Sequence, residues 1–106
     1  SSRVKLSVGA TPIRSIDTYY NDVDINGHIN SVKYIEHVLD LWDVAWYKQH
    51  CIKRFEIAYV AESHQGDRLH FYREGRYSDT DFNVRITKSN RDSEEVEVCR
   101  CRVQFV

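Results

Sequence analysis

Four polar residues recur at every second position in one short stretch: Asp24, Asn26, His28 and Asn30. A carboxylate, a carboxamide and an imidazole so spaced can hold a water, a carbonyl oxygen or a proton between them. If the chain is extended there, alternation sets Asp24, Asn26 and His28 on one side. An apolar pattern of helical period begins just after Asn30. The free N–H groups of a helix start would then point into the same region. Such a start can polarise a carbonyl and stabilise an oxyanion, which acyl chemistry requires together with a base or a nucleophile. The same residue types also make an ordinary polar turn, with Asp24 in an Asx-turn, Asn30 as a helix cap and His28 at the surface. Type and spacing alone leave both readings open.

The elements that must position these residues are read from periodicity. Residues 13–20, rich in β-branched and aromatic side chains, read as a strand, and residues 21–27 as a polar loop. Val32, Ile35, Val38, Leu39, Trp42, Ala45 and Trp46 recur at intervals of three and four. They predict one amphipathic helix, capped by Asn30 and running to about Gln49. At about 1.5 Å per residue it would be near 28 Å long, enough to cross a small sheet.

The period then returns to two. Residues 52–61 read as a strand with Phe55, Ile57 and Tyr59 on one face. Residues 68–73 follow with Leu69 and Phe71, and residues 82–87 with Phe82, Val84 and Ile86. The last strand, residues 96–106, slips in its alternation near Val98-Cys99, which predicts a bulge. Residues 64–67 and 90–93 read as turns, and the first dozen residues, ending at Thr11-Pro12, as a leading strand or linker. Short turns between successive strands predict antiparallel pairing. One helix against one curved antiparallel sheet is an α+β domain, with the helix tryptophans in its core.

A chain of 106 residues suits one domain. Its 42% hydrophobic and 29% charged residues fit a soluble globular protein. A net charge of −1 offers no field for nucleic acid or an anionic membrane. No apolar run approaches the roughly 20 residues that cross a bilayer. Ser1-Ser2-Arg3-Val4-Lys5 lacks the apolar core of a signal peptide. Three cysteines, Cys51, Cys99 and Cys101, are expected as reduced thiols in a cytoplasmic compartment, or the plastid stroma in a plant. Cys99 and Cys101 should share a strand face as structural residues. A metal site needs about four ligands, and no second cysteine pair or Cys/His cluster supplies them.

The stretch Tyr20-Asn21-Asp22-Val23-Asp24-Ile25-Asn26-Gly27-His28-Ile29-Asn30-Ser31-Val32-Lys33-Tyr34 closely resembles the signature of acyl-ACP thioesterases. That pattern is D-x-N-x-H-x-N-N-x-K-Y, ahead of the long helix of a hot-dog fold. The departure is Ser31, where a second Asn is usual. Downstream, Tyr59-Val60-Ala61-Glu62-Ser63 is similar to the family's Y-x-x-E-C segment. The two matches stand in the family's order and separation. The first is more specific than the D-x-x-x-H-x-N of broader hot-dog thioesterases.

The resemblance implies a curved sheet wrapped around one long central helix. It also implies hydrolysis of fatty acyl-ACP thioesters to free fatty acid and carrier protein. Asp24, Asn26, His28 and Glu62 fall on the family's catalytic positions. Glu62 would be the base for an attacking water, with Asn26 and His28 orienting that water or the thioester carbonyl. Asp24 would hold the loop, or hold His28 in one tautomer. Backbone N–H groups near Ile29 and Asn30 would serve the oxyanion. Without the resemblance, Glu62 reads as a strand-end carboxylate in water. Ser63 stands where the family often has Cys, which argues against an obligatory thiol mechanism. As a nucleophile it would need an adjacent base, so a hydrogen-bonding or structural role at the substrate site is expected. Attack by water and attack by a carboxylate to give an anhydride stay open. No metal or organic cofactor is implied.

Acyl-ACP thioesterases carry two hot-dog domains in one chain, and residues 1–106 match the C-terminal, catalytic one. The front domain supplies most of the acyl pocket, so chain length is not legible here. An uncovered sheet edge calls for a homodimer or a second hot-dog domain. The expected partner is an acyl carrier protein, which is acidic, and Lys33 or Arg54 are candidates to face it. The alternatives are an acyl-CoA thioesterase on a single-domain dimer and a non-catalytic acyl-binding, carrier-binding or dimerisation module. A hot-dog dehydratase would place its histidine before a Pro-Gly step, and the single proline, Pro12, precedes Ile13. His37, His50, His64 and His70 read as surface or edge residues. Tyr19, Tyr20 and Tyr34 read as core or rim, or as pocket lining.

Overall fold

The computed structural model describes residues 11–90 and 94–106, so most of the leading segment and of the expected 90–93 turn lies outside the described residues. Five strands form one antiparallel sheet in the order β1-β3-β4-β5-β2. They are β1 (Arg14–Asp17), β2 (Ile52–Tyr59), β3 (Arg68–Gly75), β4 (Asp81–Ser89) and β5 (Val96–Phe105). Two helices, α1 (Ser31–Leu39) and α2 (Val44–Gln49), connect β1 to β2.

The alternation that predicted the strands also sets the core. Leu69, Phe71, Val84, Ile86, Val98 and Val103 are fully buried, and Tyr34 and Val38 of α1 and Leu41 and Trp42 of the corner after it complete the same core. Each such side chain contributes roughly 1.5–3 kcal/mol by leaving water. The bulge lies where the alternation slips. Ile86 pairs with Cys99 but Thr87 with Glu97, which leaves Val98 extra and buries Val98 and Cys99 in succession. Cys99 and Cys101 face this core, and burial raises both thiols, Cys101 to about 12.

Three expectations need correction. The first strand ends at Asp17, and Tyr20–Asp22 forms a 3₁₀ turn. The Asp22 carboxylate accepts the Tyr19 N–H at 2.8 Å, which folds the chain back. The long helix is two helices. The Leu41 N–H donates to Val38, tightening the last turn, and the Asp43 carboxylate then accepts the Trp46 N–H at 2.9 Å to start a new helix. The corner turns Trp42 inward, while Val32 and Ala45 of the expected stripe are exposed. Finally, β2 does not pair with its successor β3. It lies at the far edge beside β5, where Phe55 faces Val103 and Ile57 faces Cys101. Residues 60–67 must therefore cross the domain, and this crossing brings Glu62 beside the start of α1.

Asn30 caps α1 by accepting the Val32 N–H at 3.0 Å. Replacing Asn30 with Ala should cost about 0.5–2 kcal/mol, read as a lower midpoint in urea with an unchanged slope.

Candidate active site

Asp24 opens a tight turn in place of the extended run that alternation assumed. The Gly27 N–H donates to the Asp24 carbonyl (3.0 Å), and the Asp24 N–H donates to the His28 carbonyl (2.8 Å). Gly27 has φ +80°, a conformation that suits glycine at such a turn. One Asp24 carboxylate oxygen accepts the N–H groups of Asn26 (2.9 Å) and His28 (3.1 Å). Asp24 therefore holds the loop through its backbone. Asn26 stands exposed on the turn and does not line the cleft that His28 enters, so the structure does not bring Asp24, Asn26 and His28 to one side.

The crossing segment packs along this turn. Ile29 donates its N–H to the Ser63 carbonyl at 2.8 Å, and His28 bridges His64 as antiparallel partners. His28 Nε2 then lies 3.3 Å from Glu62 Oε2. A cleft of about 370 Å³ opens here, and His28, Ser31, Tyr34, Tyr59 and Glu62 are among the residues that line it. Hollows of about 360 and 380 Å³ lie elsewhere, so volume does not single out this cleft. The convergence of an imidazole, a carboxylate and a helix start does.

Glu62 is 70% exposed, and the Lys88 ammonium donates to its backbone carbonyl. Ser63 is the opposite, fully buried, with its Oγ against the Tyr34 hydroxyl. No imidazole or carboxylate contacts that Oγ among the described residues, so it lacks the base a nucleophile needs. Burial pushes Tyr34 up to about 12, so its hydroxyl stays protonated at neutral pH.

Two of the amides expected near an oxyanion are already hydrogen-bonded within the protein. Ile29 and Asn30 both spend their N–H groups, on the carbonyls of Ser63 and Asp22, each at 2.8 Å. An N–H in a bond of that length has no hydrogen left for an oxyanion. Val32 and Lys33 donate to the side chain and carbonyl of Asn30. Ser31 is then the first-turn amide without a protein acceptor among the described residues, and it lines the cleft. Asp22 supports this start further, because its carboxylate meets His37 Nε2 of α1 at 3.3 Å.

Sequence reasoning passed over Ser31, Tyr59 and His64. Ser31 sits at the one departure from the family pattern, and His64 two places after Glu62, which were the available signals. Tyr59 read as an inward strand residue, yet its hydroxyl reaches toward the Ser31 carbonyl at 3.4 Å. Tyr19 and Tyr20 are exposed and are not among the residues that line the cleft, whereas the buried Tyr34 is. The candidate carrier-facing cations are engaged locally, Lys33 with Glu36 at 3.1 Å and Arg54 with Glu56 at 3.4 Å.

The family model for the acyl-ACP thioesterase C-terminal domain matches residues 7–105. No curated protein matches the chain in sequence. Among solved structures it is similar to an acyl-ACP thioesterase from Bacteroides thetaiotaomicron, at 43% identity and a TM-score of 0.83. That match covers 100% of this chain and 41% of the other. A 12:0-ACP thioesterase from Umbellularia californica superposes with a TM-score of 0.80 at 20% identity, covering 100% of this chain and 39% of that one. A hexameric hotdog fold thioesterase of Campylobacter jejuni superposes at 0.76 with 16% identity, over 92% of this chain and 82% of its own. The last two likenesses show the hot-dog fold. The chain spans less than half the length of the two ACP thioesterases it resembles.

Proposed function

Because the chain belongs to the acyl-ACP thioesterase C-terminal domain family, we propose that it hydrolyses fatty acyl thioesters of acyl carrier protein to free fatty acid and carrier thiol. The observation that carries this reading is the His28–Glu62 pair, 3.3 Å apart at a cleft that the start of α1 also lines. Glu62 takes a proton from water as the water oxygen attacks the thioester carbon. The carbonyl oxygen becomes an oxyanion, which the Ser31 N–H and the positive end of α1 stabilise in this reading. The tetrahedral intermediate then collapses, the C–S bond breaks, and the leaving thiolate takes the proton that Glu62 holds, which restores the carboxylate. His28 orients the Glu62 carboxylate, and Asp24 keeps His28 in place by holding the turn. The exposure of Glu62 and the wide cleft fit a site that a second hot-dog domain, or a second copy, completes along the β2 edge. There Ile52, Tyr59 and Val60 are exposed.

Turnover of one long acyl chain on carrier protein and on coenzyme A, followed as thiol release and corrected for the chain's own three cysteines, separates the carriers. A higher kcat/KM on carrier protein is expected. Equal values, or faster coenzyme A turnover, would move the chain to the acyl-CoA thioesterases.

Ser63 serves this site as scaffold. Ser63→Ala should keep turnover within a few-fold of the parent. It should lower stability by about 1–3 kcal/mol, because the buried Tyr34 hydroxyl loses its partner. A loss of activity comparable to Glu62→Gln, with the fold intact, would instead make Ser63 a participant.

A further inference from the structure

We propose that His28, Glu62 and His64 form a binding site for a divalent transition-metal ion of the zinc class at the mouth of the cleft. One ligand atom from each residue lies within 4.8 Å of the other two. His28 Nε2 and Glu62 Oε2 are 3.3 Å apart. Bonds of about 2.0–2.2 Å in a tetrahedral shell put neighbouring ligands roughly 3.3–3.5 Å apart, so this pair already has the required spacing. The imidazoles of His28 and His64 meet edge to face, with centroids 4.9 Å apart and planes at 75°. Rotation about the side-chain bonds of His64 closes the remaining gap.

The backbone beneath these side chains is braced. His28 and His64 are bridge partners, and the Ile29 N–H donates to Ser63 between them. The Asp67 carboxylate accepts the His64 N–H at 2.9 Å, and the His64 carbonyl accepts from the Asp67 N–H at 3.0 Å. Binding therefore orders three side chains and leaves the main chain where it is. Glu62 and His64 are exposed, so an ion reaches them directly from solvent. Two imidazoles and one carboxylate suit zinc, copper, nickel or cobalt, whereas magnesium and calcium demand oxygen ligands. Water fills the fourth position. An ion held here occupies the Glu62 carboxylate, so it should inhibit any reaction that uses Glu62 as base.

The test needs no substrate. Zinc is titrated into the 106-residue chain carrying Cys51→Ser, which removes the exposed thiol and leaves Cys99 and Cys101 buried. A chromophoric chelator competes and reports the affinity. One equivalent should bind, equimolar magnesium should not displace it, and His64→Ala should weaken binding at least about 10-fold, as should Glu62→Gln. Circular dichroism checks that both exposed substitutions leave the fold intact. Unchanged affinity in both variants, or displacement by equimolar magnesium, would overturn the proposal. Because His64 has no part in the hydrolytic scheme, that failure would leave the thioesterase reading untouched.

Discussion

Glu62→Gln should lower kcat for acyl-ACP hydrolysis by about 10²–10⁴-fold, the range that a positioned general base supplies. The carboxamide keeps the shape and the hydrogen-bonding reach of the carboxylate but cannot take a proton from water. Stability should change by less than about 1 kcal/mol. The side chain is 70% exposed, and an exposed ion pair such as that with His28 contributes about 0–1 kcal/mol. Thiol release and a thermal melt on the same preparation separate the two effects. A variant that kept full turnover would remove Glu62 from the chemistry. A variant that lost turnover only because it unfolded would show a lowered melting midpoint.

The largest effect on the scaffold is expected at Trp42. Its ring packs edge-on against Phe82 and Phe105, at 5.2 and 4.9 Å, beneath the corner between α1 and α2. The Arg73 guanidinium lies 5.3 Å from the same ring and donates to the Leu41 carbonyl, closing the corner from the sheet side. Trp42→Ala should cost about 3–5 kcal/mol, since a corner pinned from both sides cannot collapse into the cavity. Trp42→Phe should cost under about 1.5 kcal/mol. It keeps an aromatic edge for both phenylalanines and removes the indole N–H, which is buried without a hydrogen-bond partner among the described residues. Chemical unfolding of the two variants checks the contrast. Equal losses would mean that the corner depends on the full indole volume.

Much of this architecture is legible in the sequence because burial imposes a period. Leu69, Phe71, Val84 and Ile86 alternate as a one-sided sheet demands, and the slip at Val98-Cys99 marks a real bulge. The helix break was not legible from the stripe, because Val38, Leu39, Trp42 and Trp46 keep helical spacing across it. The break follows from Asp43, whose carboxylate caps a new helix, and a lone Asp in a helical pattern is an ambiguous signal. The pairing of β2 with β5 was not legible either. Turn length argues for neighbours, but the partner of an edge strand is set by the whole sheet.

The site divides in the same way. Spacing and family resemblance together single out Asp24, His28 and Glu62, residues that the fold gathers at one cleft. Which amides near the helix start stay unbonded was not legible. Ile29 and Asn30 are consumed in tying the turn to Ser63 and Asp22, a hydrogen-bond account that only coordinates reveal. Asn26 sits on the motif, yet it is exposed and is not among the residues that line the cleft. His64 was invisible as a neighbour of His28, because their pairing depends on the crossing of residues 60–67.

The claim that Glu62 activates water is tested most directly by a single turnover of long-chain acyl-ACP in ¹⁸O-labelled water, with enzyme in excess. Attack by water on the thioester carbon predicts one ¹⁸O in the released fatty acid and none in the protein. Label carried by the Glu62 carboxylate would mean that it attacked the thioester itself and passed through an anhydride. Bound acyl-ACP recovered intact would mean that the domain holds its substrate without cleaving it.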